Sequence, residues 1–124
     1  GAVAATAAVA GHNWSPWLAG AGGRGMSVAL GAFLPLAWPG TVVLALGLAG
    51  GRLCRQTGLG SLVAGAAVVP VVARTHGRAA GLAGAGIVAT MLAKRLAGNH
   101  RPEAPGVRAY GHRLLFDRDP ELAL

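Results

Sequence analysis

Four stretches of the chain carry no Asp, Glu, Lys or Arg: residues 1–23, 26–51, 56–73 and 79–93. Apolar runs of about 17 to 25 residues match the hydrocarbon thickness of a bilayer. The third and fourth are short, but Arg74, Arg78, Lys94 and Arg95 at their ends can snorkel to the headgroups. Glycine, proline and polar residues divide these runs into elements. Residues 1–10 read as the end of a helix, and residues 11–25 as a Gly-rich loop holding Trp14, Pro16 and Trp17. Residues 26–37 read as a helix closed by a Trp38-Pro39-Gly40 turn, and residues 41–53 as the next helix. A polar turn over 52–60 leads to a helix over 62–73, which Pro70 should kink, and then to a helix over 78–96. From Gly98 onward the chain turns polar and charged, so residues 98–124 read as a polar cytoplasmic tail. The pattern predicts an all-α, polytopic transmembrane helical bundle. Residues 1–124 form a single membrane domain, with about four membrane helices between residues 26 and 97.

Composition supports that reading. Charged residues make up 12% of the chain and hydrophobic ones 53%, whereas a soluble domain carries about 25% charged residues. The 21 glycines would weaken helices in water but let helix backbones approach closely in lipid. Gly47 with Gly51, and Gly81 with Gly84 and Gly86, form such small-residue patches. A net charge of +7 raises nucleic-acid binding, but the cations punctuate apolar segments instead of forming a patch on a soluble fold, which argues against it. Cys54 is the only cysteine, so no intrachain disulfide forms, and no ligand cluster implies a metal or an organic cofactor.

Alternating the turns gives a topology. With the Gly-rich loop in the cytoplasm, Arg24, Arg52, Arg55, Lys94, Arg95, Arg101, Arg108, Arg113 and Arg118 lie inside. Only Arg74 and Arg78 lie outside, as the positive-inside rule requires. Trp14, Trp17 and Trp38 suit the interface. The chain starts at Gly1 inside an apolar run with no charged n-region, which reads as an N-terminal truncation and not as a signal peptide.

The densest candidate chemistry is Gly11-His12-Asn13-Trp14-Ser15-Pro16 followed by Gly20-Ala21-Gly22-Gly23-Arg24-Gly25. Closely spaced glycines let backbone N–H groups converge on an anion, and the loop runs into a helix N-terminus. A phosphate suits such a place. Arg24 adds a guanidinium matched to phosphate oxygens, and His12 can donate a hydrogen bond or handle a proton. The plainer alternative is a flexible turn with an anchoring arginine.

This segment resembles the second signature of the PlsY family of acyl-phosphate:glycerol-3-phosphate acyltransferases, G-H-x-x-x-x-x-x-x-F-K-G-G-K-G-V-A-T. Gly11, His12, Gly22, Gly23 and Gly25 match it. Arg24 stands at the second lysine, Ala21 replaces the first, and Ser27-Val28 replaces Ala-Thr. A second likeness lies in the tail, to R-H-x-x-N-I-x-R-L-x-x-G-x-E. Asn99 stands for its Asn, and residues 112–119 for its end, with Asp117 at the glycine and Asp119 at the glutamate. Residues 101–111 read as an insertion, and His100 or His112 is left to stand in for the motif histidine. The family's first signature, S-G-N-x-G-x-x-N, is absent, which implies a fragment inactive by itself.

The resemblance implies transfer of a fatty acyl group from acyl phosphate to glycerol 3-phosphate, giving lysophosphatidate at the bacterial cytoplasmic membrane. Gly22, Gly23, Arg24 and Gly25 would hold the phosphate, and His12 and Asn99 would serve as catalytic residues. His112, Arg113 and Asp119 would contribute from the tail, with membrane lipid as a further partner. His112 and Asp117 also show the H-x4-D spacing of another acyltransferase superfamily, here read as coincidence. The competing class is a non-catalytic membrane paralogue or transporter-type protein with the same fold, and Ala21 with the altered tail points that way.

Overall fold

The computed structural model describes residues 1–118, and over them the chain is all-α. Its helices are α1 (Ala2–Asn13), α2 (Met26–Leu36), α3 (Trp38–Leu53), α4 (Thr57–His76), α5 (Arg78–Ala97) and α6 (Val107–Phe116), with a 3-10 turn at Pro16–Leu18. The stops follow local chemistry. Gly77, at φ +87°, is the single residue between α4 and α5, and a side chain there would be strained. Pro39 falls in the first turn of α3, where its missing N–H removes no helical bond. Trp38-Pro39-Gly40 is therefore the start of α3 and not a separate turn, and Ala37 alone divides it from α2.

α4 and α5 have 20 residues each, about 30 Å at 1.5 Å per residue, which is the hydrocarbon thickness. Both are apolar enough to cross a membrane. Pro70 sits inside α4 without ending it. α2 and α3 are shorter, at 11 and 16 residues. They form a hairpin in which the Thr41 hydroxyl donates to the Leu30 carbonyl at 3.0 Å.

Glycine sets the helix spacing. Gly47 and Gly51 of α3 lie against Gly60 and Ala64 of α4, where a Cβ on Gly60 would come within 2.7 Å of the Gly51 Cα. Gly81 of α5 takes the Ala73 side chain, and Gly86 faces Thr6 of α1. Phe33, fully buried, fills the hollow beside Gly40 and Gly84. Val9, Ala29, Leu44, Val68, Val72, Ile87 and Met91 belong to the same buried core. Meanwhile Val3, Leu34, Leu46, Val63 and Leu82 stay exposed, while Asn13, Lys94, Arg95 and Arg113 are buried. Helices solvated by lipid have this distribution, since their outer faces gain nothing from being polar.

The C-terminal part of the bundle also departs from the sequence expectation. The polar stretch from Gly98 contains a further helix, α6, whose end rests on α4: a Cβ on Gly58 would meet the Phe116 backbone at 2.5 Å. Lys94 and Arg95 do not reach outward to headgroups, as Arg74 and Arg78 remain free to do. They turn inward, because the Gly-rich loop and α6 offer them carbonyl oxygens.

Candidate functional site

The Gly-rich loop, the start of α2, the start of α4, the end of α5 and α6 meet at one end of the bundle. Lys94 pins the loop. Its fully buried ammonium donates to the Gly20 carbonyl at 3.0 Å and lies 5.5 Å from the centre of the Trp14 ring. Asn13, also fully buried, ties α1 to α5 by donating to the Thr90 carbonyl at 3.3 Å. Its Oδ1 is buried without a hydrogen-bond donor.

The loop glycines serve close approach first. A Cβ on Gly22 would collide with the His12 and Asn13 backbone, and one on Gly23 with the His12 ring. The Gly20 N–H donates to Ser15, Ala21 to Leu18 and Gly23 to His12. These three N–H groups are therefore spent within the loop. Further donors come one turn later. Gly25, at φ +73°, swings the chain into α2, which has no side-chain cap. The first bond of α2 is from Ala29 N–H to the Gly25 carbonyl, at 2.8 Å, so the N–H groups just before it lack intrahelical acceptors. Asn99 joins from the other side, donating to the Gly22 carbonyl at 3.3 Å. His12, Gly23 and Asn99, all exposed, thus cluster about the half-buried Gly22 backbone.

Arg24 belongs to a second, deeper group. With Arg95, Asp117, Ser61 and Thr57 it lines a cavity of about 370 Å³, closed on its apolar side by Met26, Leu48, Met91 and Phe116. Arg95 is buried by neighbours on α4 and at the end of α6: it donates to the Leu114 carbonyl at 2.9 Å, hydrogen-bonds the Ser61 hydroxyl, and faces Asp117. The Ser61 hydroxyl is aimed back at its own helix, 2.9 Å from the Thr57 carbonyl. Arg24 donates to the Lys94 carbonyl at 3.3 Å. Asp117 Oδ1 lies 3.2 Å from Arg24 Nε and 4.0 Å from Arg95 Nε, yet accepts no aligned hydrogen bond. Its attachment is by charge. Burial raises the Asp117 carboxyl above its ordinary range, against the opposite pull of Arg24 and then Arg95.

The remaining tail residues hold α6 in place. Arg113 donates to the Leu96, Ala97 and His100 carbonyls, at 3.3, 3.0 and 2.9 Å, closing the C-terminal end of α5. Such carbonyls have no intrahelical donors and attract cations. His112 packs against Phe116 with the rings tilted and their centroids 4.8 Å apart, and its Nδ1 pairs with the Arg118 carbonyl at 2.9 Å. Asp119 lies outside the described residues.

Sequence reasoning had passed over Arg95, Ser61 and Lys94 as site residues. For Arg95 a signal existed, since it stands four residues before Asn99, at the arginine of R-H-x-x-N. Ser61, one hydroxyl in an apolar helix, carried none. Among the described residues no group of His, Cys, Asp and Glu side chains could hold a metal ion.

Comparison with known proteins agrees with the motif likeness. The family "Glycerol-3-phosphate acyltransferase" matches residues 1–106. A glycerol-3-phosphate acyltransferase of Synechococcus sp. is 40% identical over 91 residues, covering 73% of this chain and 45% of that protein. One of Ruegeria pomeroyi is 46% identical over 65 residues, covering 52% of this chain and 32% of that protein. The matched stretch thus spans less than half the length of either relative. No solved structure matches the chain.

Proposed function

Since the chain belongs to the glycerol-3-phosphate acyltransferase family, we propose that the full-length protein acylates glycerol 3-phosphate, with acyl phosphate as donor. The sn-1 hydroxyl attacks the acyl carbonyl, the acyl–phosphate bond breaks, and the hydroxyl proton ends on the departing phosphate. The products are lysophosphatidate and inorganic phosphate. An acyl phosphate is a mixed anhydride, already activated, so the protein's work is to position the reactants and neutralise charge.

The observation that carries this reading is the pair of guanidiniums, Arg24 and Arg95, on one cavity that borders the uncapped start of α2. Guanidiniums and helix N-termini are both suited to phosphate oxygens. His12 and Asn99, either side of the Gly22–Gly23 backbone, orient phosphate or hydroxyl groups beside it. Met26, Leu48 and Met91 give the acyl chain an apolar wall. The protein resides in the bacterial cytoplasmic membrane with this end in the cytoplasm, a placement supported by the excess of cations on that side.

Replacing Arg24 with Ala in the full-length protein is expected to lower kcat/KM for glycerol 3-phosphate by about 10²-fold, mostly through KM. An unchanged KM would remove Arg24 from the phosphate site.

A further inference from the structure

Asp117 is the residue at this site that an anion-binding cavity has least use for. It follows the last turn of α6 with φ +57° and ψ +31°, a left-handed conformation that glycine adopts freely and Asp or Asn tolerates. From there its carboxylate enters the cavity. Arg24 is otherwise engaged through one outer nitrogen, with the Lys94 carbonyl, and Arg95 through both, with the Leu114 carbonyl and the Ser61 hydroxyl. The Nε of each remains, and both Nε atoms face the same Asp117 oxygen.

We propose that Asp117 is a built-in counter-anion, its carboxylate occupying the place between Arg24 and Arg95 that a phosphate monoester must take. The proposal rests on the reading of this cavity as the phosphate site, and it goes further by naming the residue that sets the site's affinity. With no substrate bound, the carboxylate keeps two like charges from repelling each other inside a partly buried space. When a phosphate arrives, a dianion and a carboxylate compete for the same two cations, and Asp117 must withdraw. Its hold is loose enough for that, because Oδ1 has charge contacts but no aligned hydrogen bond to break. Affinity for any small phosphate, inorganic phosphate included, is thereby kept lower than two arginines alone would make it. A site that releases inorganic phosphate as product gains turnover from such weakening.

The test compares wild type, Asp117→Asn, Asp117→Gly and Arg24→Ala, each as the full-length protein in lipid nanodiscs. Inorganic phosphate is the calorimetric probe, and KM for glycerol 3-phosphate is read in parallel. Asn and Gly both accept the left-handed backbone, so the turn itself is retained. Both Asp117 variants are expected to bind inorganic phosphate about tenfold more tightly, because one repulsive charge is gone and neither guanidinium has a competing carboxylate beside it. KM should fall in the same direction, while Arg24→Ala weakens both. A structural strut would give the opposite sign, so unchanged or weaker phosphate binding in both Asp117 variants overturns the proposal even if Arg24→Ala behaves as expected. If phosphate binds no better to wild type than to Arg24→Ala, the phosphate reading of the cavity falls first and the role of Asp117 falls with it.

Discussion

Lys94 shows how one side chain holds the loop on which the site depends. A buried ammonium is costly unless its hydrogen bonds are met. Here the partners are the Gly20 carbonyl and the face of Trp14, and both lie in the loop. Replacing Lys94 with Met keeps the apolar stem and removes the donor. The expected effect is about 1 kcal/mol of lost loop protection, roughly fivefold faster exchange at the Gly20 and Ala21 amides, read by hydrogen–deuterium exchange. Exchange at wild-type rate would mean that Trp14 and the turn hydrogen bonds hold the loop without Lys94. At this scale the sequence showed where the cations are, but not which way they point. A lysine at a helix end looks the same whether it reaches for lipid headgroups or for a loop carbonyl contributed 74 residues away.

Between elements, the contact that most depends on residue size is the α3–α4 interface. Gly47 and Gly51 were legible as a small-xxx-small pair, but their counterparts Gly60 and Ala64 emerge only when the helices are laid together. Gly60→Val would push its side chain into the Gly51 backbone, which cannot yield as a flexible side chain would. The expected loss is ~1–3 kcal/mol, visible as a lower melting temperature in detergent. Gly50 provides the contrast. A Cβ there meets nothing within 4 Å, so Gly50→Ala should raise stability by about 0.5–1 kcal/mol through helix propensity alone. Equal effects of the two substitutions would mean that the interface is looser than described. α6 was not legible at all, because its ten residues sit in a polar stretch and are held by Arg113 and by the notch at Gly58.

At the scale of the whole molecule, a single cysteine reports which side of the membrane the site end faces. Cys54 is free, exposed and the only cysteine in the chain. It follows α3 between Arg52 and Arg55, at the same end as the start of α4 and the cavity. A membrane-impermeant maleimide is therefore expected to label Cys54 in inside-out vesicles and not in intact spheroplasts, provided other cysteines of the full-length protein are replaced. Labelling in spheroplasts would put the Gly-rich loop outside and end the cytoplasmic assignment.

The charge-free runs by themselves determined an all-α bundle solvated by lipid, because burial of apolar helices in a bilayer depends on composition and length more than on any partner. The motif residues determined the family, since a turn as tight as Gly22–Gly23 admits almost no other side chains. Only the tertiary structure decided that Arg24, Arg95, Ser61 and Asp117 share one cavity. They come from the loop, two long helices and the end of α6. No period or spacing along the chain encodes a meeting of side chains that depends on how closely glycine faces let the helices pack.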